Sequence, residues 1–241
     1  MGDGESVSVE TIYEDGTYLD ANPSWHEEDS AWKARHIVRM LHANRIEPRT
    51  VCEIGCGAGG ILDCLADSFA PDVRFSGYEI SPQALELCKS KERSNLHFFP
   101  ADAFDDEGGF DLAMAIDVIE HVEDYYGFLR KLGTKGAFTI LHIPLDLSVQ
   151  SVLRSSRLLR DREAVGHIQY FTKETALATL REAGYEVVDC FYTASRLELG
   201  NLGWRASLMK LPRRLLFSLN QDFAARVLGG FSILVLAKAS E

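Results

Sequence analysis

The residues best suited to chemistry are a run of glycines and a series of carboxylates spaced through the first half of the chain. Apolar Val51-Cys52-Glu53-Ile54 passes into Gly55-Cys56-Gly57-Ala58-Gly59-Gly60. Glycine permits positive φ and carries no Cβ, so such a turn lets the backbone approach a ligand while the N–H groups of the next helix point into the same space. Gly55, Gly57 and Gly60 satisfy the dinucleotide spacing G-x-G-x-x-G, which alone leaves the ligand open. Glu53 narrows it, because a carboxylate there suits a ligand bearing an ammonium group and repels a pyrophosphate. Glu79, Asp102 and Asp117 each follow a further apolar run, and His121 lies just beyond the last of them. An unperturbed imidazole is partly neutral near pH 7, which makes His121 a candidate general base.

These residues need elements to hold them, and the pattern supplies strands alternating with helices. Strands are expected at Thr50–Ile54, Val73–Ile80, Leu96–Phe99, Phe110–Ile116 and Gly136–Ile143. Between the first two, Ile61, Leu62, Leu65, Ala66 and Phe69 form a helical stripe, and Pro82 opens the helix after Glu79. Upstream, Asp29 or Ser30 can cap a helix whose Ile37, Met40, Leu41 and Ile46 fall near helical spacing. After Pro144 the rhythm breaks into a short helical segment around Val152–Leu159 and an irregular stretch at 166–171. Thr172 should cap a helix over Lys173–Ala183 with Gly184 just past its end, followed by strands at Tyr185–Thr193 and Phe231–Ala237. The expected fold is α/β, a Rossmann-like, doubly wound, seven-stranded mixed sheet with a helical insertion between the last two strands.

With 241 residues, 46% hydrophobic and 25% charged, the chain can bury one substantial core, so a single domain over 1–241 is expected. Within it, 1–28 reads as an arm or lid carrying Tyr13, Tyr18 and Trp25, 29–145 as the ligand-binding core, and 146–171 and 196–229 as elaborations. No apolar leader follows the Met-Gly-Asp-Gly start and no uncharged apolar run is long enough to span a bilayer, so a cytoplasmic location is expected. Five cysteines without a C-x-x-C pair argue against a disulfide framework and a structural zinc site. The net charge of −11 divides into −15 over residues 1–150 and +4 over 151–241. That balance argues against general nucleic-acid binding, which needs a broad basic face.

In these motifs the chain resembles the class I S-adenosylmethionine-dependent methyltransferases, in particular small-molecule members with a Glu-His-Val motif after the fourth strand, here Glu120-His121-Val122. The resemblance covers 29–145 closely and 168–238 in architecture. It implies S-adenosylmethionine as cofactor, with Glu53, Gly55 and Gly57 around the methionine part and Glu79 accepting from both ribose hydroxyls, Ile80 beside it. It further places Asp102 at the adenine amino group, with Ala103 beside it, and Asp117 facing the methionine and the transferred methyl. A nicotinamide-dependent reductase would explain Glu79 but not Glu53 and Asp102 together, and a non-catalytic cofactor-binding scaffold remains the other alternative.

The implied activity is methyl transfer to oxygen, less readily nitrogen, of a small molecule, for which the basic residues suit an anionic one, with the acceptor site drawn from 1–28, 145–171 and 196–229. Arg154, Arg157, Arg160, Arg162, Arg205, Arg213 and Arg214 suit a phosphate or carboxylate on that molecule. Asp117-x-x-Glu120-His121 also resembles a divalent-metal motif of some members, with His142 or His167 as a further ligand. Asp stands here where those members have Glu, and no metal is assigned. The basic, apolar stretch 204–219 could alternatively lie on a membrane surface or form a cap completing the core.

Overall fold

The computed structural model describes residues 25, 27–101, 108–154, 156–199 and 210–240. Strands β1 (Thr50–Ile54), β2 (Arg74–Glu79), β3 (Leu96–Pro100), β4 (Phe110–Ile116), β5 (Gly136–Pro144), β6 (Tyr185–Thr193) and β7 (Ser232–Ala239) form one sheet. The order is β3-β2-β1-β4-β5-β7-β6. The first five strands are parallel, while β7 runs antiparallel between β5 and β6. This is the Rossmann-like doubly wound mixed sheet expected from the alternation of patterns. Strand order reverses between β1 and β4, and an open α/β sheet binds ligands beyond the carboxyl ends of its strands at such a switch point.

Each strand divides its side chains between two cores, as the period of two requires. Val51, Leu112, Met114 and Ile140 face one side, where helices α1 (Ser30–Asn44) and α2 (Gly60–Ser68) contribute Ile37, Met40, Leu41, Leu62 and Leu65. Cys52, Ala113, Ala115 and Leu141 face the other, against Leu129 and Leu132 of α4 (Tyr125–Gly133), after α3 (Pro82–Cys88) in chain order. Ala176 and Leu180 of α7 (Lys173–Glu182) and Ala224 and Ala225 of α10 (Gln221–Leu228) complete that layer.

The segment after β5 holds two helices, α5 (Val149–Leu153) and α6 (Ser156–Val165), where one around 152–159 was expected. Ser148 caps α5 through a reciprocal capping box with Ser151, a start signal that the arginine-rich run after it obscured. Thr172 caps α7 as its sequence requires, and Gly184 beyond it takes φ +94°. Asp29 precedes α1 but makes no side-chain cap bond. Between β6 and β7 stand α8 (Ser195–Glu198), α9 (Lys210–Leu219) and α10. Of the apolar side chains of α9, which lies in the 204–219 stretch, Leu216 and Phe217 pack on the core, whereas Leu211, Leu215 and Leu219 face solvent.

Candidate active site

A cavity of about 730 Å³ opens beyond the carboxyl ends of β1, β2, β4 and β5. At one end lies the glycine turn. Gly55, Gly57 and Gly59 take φ of +72°, +54° and +79°, and a Cβ on Gly55 would sit 2.9 Å from Val118 Cγ2. Glycine is therefore required there both by backbone conformation and by close approach. Glu79 ends β2 and ties the turn to it: its Oε2 accepts from Gly57 N at 2.9 Å and its Oε1 from Ser81 N at 2.9 Å. Burial raises the Glu79 pKa, and these backbone N–H groups oppose the rise. Ile80 and Ala101 line the cavity nearby, as does Trp25, whose ring lies against Gly57.

Glu53 lines the same cavity from β1. It is buried, its Oε2 has no hydrogen-bond partner, and burial lifts its pKa to about 8 against the attraction of Lys33. Asp117 follows β4 in the left-handed region, φ +56°, a conformation Asp tolerates better than most side chains. Its Oδ2 lies 2.7 Å from Lys33 Nζ, and its Oδ1 accepts from His142 Nδ1 at 2.5 Å. His142 Nε2 meets the Thr193 hydroxyl at 2.8 Å, so β4, β5 and β6 are joined under the cavity floor. Burial alone would raise the Asp117 pKa, but His142 and Lys33 hold it well below the ordinary carboxylate range. Burial likewise opposes charge on Lys33, and Asp117 more than offsets this, so its pKa is raised.

The other end of the cavity is built from the turn Ile119–His121 and the stretch before α7. The backbone N–H groups of Ile168 and Gln169 donate to the Glu120 carbonyl at 2.8 and 3.0 Å, which brings His167 beside His121, ring centroids 4.9 Å apart. His121 Nδ1–H donates to the Gly166 carbonyl at 3.1 Å, directing Nε2 away from that bond. His167 Nδ1–H donates to Asp146 Oδ2 at 2.7 Å. Glu120 is fully buried between them, and neither carboxyl oxygen has a hydrogen-bond partner. Burial, with Asp117, pushes Glu120 up to about 8; burial, with His167, pushes His121 down to about 4. Burial would lower His167 too, but Asp146 and Glu120 bring it up to about 9. Burial thus favours the neutral forms of Glu120 and His121, the Asp146 carboxylate favours the imidazolium at His167, and the Arg157 side chain also lies on the wall.

The cavity thus gathers Glu53, Gly55, Gly57, Glu79, Ile80, Asp117 and His121, while Asp102 and Ala103 lie outside the described residues. The set Asp117, Glu120, His121, His142 and His167 divides in two. Asp117 and His142 are bonded to each other, whereas Glu120, His121 and His167 have ligand atoms within 4.8 Å of one another, a spacing that could hold a divalent cation. Sequence reading missed Lys33 and Asp146. Lys33 had a signal, a cation one helical turn from Ile37 on the apolar stripe of α1; Asp146 had none, because only folding brings it to His167.

The fold and this site define the class. Residues 24–189 match the family model described as a methyltransferase domain, and the chain belongs to the class I S-adenosylmethionine-dependent methyltransferases. It is 32% identical over 115 residues to ajmaline N-methyltransferase of Rauvolfia serpentina, covering 42% of this chain and 39% of that one. It is 28% identical over 158 residues to trans-aconitate 2-methyltransferase of Streptomyces coelicolor, covering 57% and 51%. The matches thus span about half or less of these curated relatives. Among solved structures, a putative methyltransferase in complex with the Haloferax volcanii Trm112 activator superposes with a TM-score of 0.62 at 17% identity, covering 97% of this chain and 98% of that one. A methyltransferase from Thiobacillus denitrificans with bound S-adenosylhomocysteine gives 0.58 at 14%, covering 93% and 97%.

Proposed function

We propose that the chain transfers a methyl group from S-adenosylmethionine to an oxygen atom of a small anionic molecule. The observation that carries this reading is the polarity of the cavity along its length. One end offers the Asp117 carboxylate, the buried Glu53 and Glu79 carboxyl groups and a glycine turn, and the other an imidazolium and a guanidinium. The residues fit the cofactor: Glu53 Oε2 is an orphaned buried acceptor that an ammonium would satisfy, and the turn leaves no room for a Cβ. Glu53 and Asp117 would hold the amino group, and Glu79, already fixed by Gly57 and Ser81, retains lone pairs for the ribose hydroxyls. When bound, the cofactor supplies an activated methyl for in-line displacement, the acceptor oxygen forming the new bond while sulfur keeps the electrons of the old one.

The chain's own contribution is alignment and charge. His167, held by Asp146, and Arg157 attract an anion and orient its oxygen. His121, with a pKa near 4, is neutral but weakly basic. It suits hydrogen bonding to the acceptor and uptake of a proton from a hydroxyl, whereas a carboxylate acceptor needs no base at all. Glu120 keeps its own proton in this reading.

A second reading, transfer to an amine, is favoured by the same Glu120 and by the N-methyltransferases among the relatives. When ionised, the unpartnered Glu120 oxygens would bind an ammonium group and take the proton it must lose before the free amine attacks the methyl. Incubation with methyl-labelled cofactor and matched panels of carboxylates, phenols and amines separates the two. Labelled product from the acids, lost in Arg157→Ala and His167→Asn, supports the first reading; label only on amines favours the second. Turnover abolished by chelation and restored by a divalent cation would show instead that Glu120, His121 and His167 hold a metal.

A further inference from the structure

We propose that the helical cap formed by α5, α6, α9 and α10 docks on the surface of an anionic lipid bilayer. In α9 one side is fixed inward: Phe217 stacks on Phe231 with centroids 4.7 Å apart, and Arg213 donates to the Gly229 and Leu228 carbonyls at 2.8 and 2.7 Å. Away from those contacts, Leu211, Leu215 and Leu219 recur one helical turn apart and are 77%, 62% and 74% exposed. A helix that is apolar on both its packed and its solvent sides has a second apolar medium to meet.

The neighbouring helices expose apolar side chains as well. α9 packs on α10, α10 on α5 and α5 on α6. α10 exposes Phe223, α5 exposes Val149, Val152 and Leu153, and α6 exposes Leu159. The same segments carry Arg154, Arg160 and Arg214 at the surface.

Charge decides the occupant. Residues 149–165 and 210–228 hold eight of the chain's 25 Lys and Arg but three of its 36 Asp and Glu, so the cap is positive on a chain of net charge −11. Arginines beside exposed leucines match anionic headgroups above an acyl layer, with the leucines entering the boundary and the cations reaching up to phosphate. α6 belongs to both surfaces: it exposes Leu159 and lines the cavity with Arg157 and Val165. Docking therefore sets the acceptor end of the cavity beside the bilayer. That consequence rests on the proposed methyl transfer, whereas docking itself is measurable without any acceptor.

The test is sedimentation of the full chain with vesicles of phosphatidylcholine alone and of phosphatidylcholine carrying about one quarter phosphatidylglycerol. Binding to the anionic vesicles is expected, weakened by salt as screening shortens the reach of the arginines. Leu215→Asp with Leu219→Asp, and separately Arg154→Glu with Arg214→Glu, should each reduce bound protein about ten-fold. All four positions are exposed, so both variants should titrate with S-adenosylhomocysteine as the parent does, which separates lost docking from lost folding and from failure of the methyltransferase reading. No binding to anionic vesicles, or equal binding by the Leu215→Asp/Leu219→Asp variant, overturns the proposal. A dimer in solution that this variant dissolves also overturns it, assigning the cap to a second copy of the chain.

Discussion

Lys33 Nζ lies 2.7 Å from Asp117 Oδ2, joining the first turn of α1 to the end of β4 across the cavity wall. Both charges are favoured by the contact: the lysine pKa is raised and the aspartate pKa held low. The lysine thereby places a cation among Glu53, Asp117 and Asp29, where an amino-acid ligand would bring its own ammonium and carboxylate.

Lys33→Met should weaken S-adenosylhomocysteine binding about ten-fold, through loss of a charge-assisted partner for the ligand carboxylate. Methylthioadenosine, which lacks the amino-acid end, should change by less than about two-fold. Calorimetric titration with both ligands is the check. Equal losses would make Lys33 a purely structural ion pair.

Glu79→Ala should act on ligand and fold together. It strips the acceptor from Gly57 N and Ser81 N, costing about 1–3 kcal/mol for buried donors left unpaired. Glu79→Gln keeps one carbonyl oxygen and should recover part of the stability but not the cofactor affinity. Chemical denaturation and titration of the two variants side by side test this.

Gly55→Ala combines two penalties that a double variant can separate. The positive φ costs roughly 1–2 kcal/mol for a residue with a Cβ, and the contact with Val118 adds to it. Val118→Ala in the same chain should relieve the contact and leave the strain, so thermal stability should recover only in part. Full recovery would show that the backbone conformation is not limiting.

Stability should fall as pH rises across the neutral range, partly because of Glu120. Its pKa in the fold is about 8, against about 4.5 for an ordinary glutamate, so between those values the folded state binds more protons than the unfolded one. Its contribution is fully present below the lower value and lost as pH approaches the upper, at up to about 1.4 kcal/mol per pH unit. His167 adds the same sign between about 6.5 and about 9. Glu120→Gln carries no titrating proton, so its melting temperature should fall less steeply between pH 5 and 8 than the parent's. Parallel curves for the two proteins would mean that Glu120 is ionised in the fold.

The alternation of apolar runs, the glycines and the capping residues sufficed for the sheet and most of its boundaries, because these are local properties of period and backbone freedom. Thr172 and Gly184 delimit α7 as their types dictate, and Glu53, Glu79 and Asp117 stand at strand ends because strand length fixes them there. Partnership was not legible in the same way. Asp146 and His167 meet only because backbone N–H groups of Ile168 and Gln169 bond to Glu120, and Lys33 reaches Asp117 only through the packing of α1 on the sheet. The leucines of α9 show the same division. Their spacing specifies a helix, but which stripe is buried depends on where Arg213 and Phe217 find their partners, and that is decided by residues distant in the chain. Sequence by itself determined the elements and the residue types at their ends; tertiary structure decided which charges meet and which apolar faces stay open, because those depend on long-range contacts that no local pattern encodes.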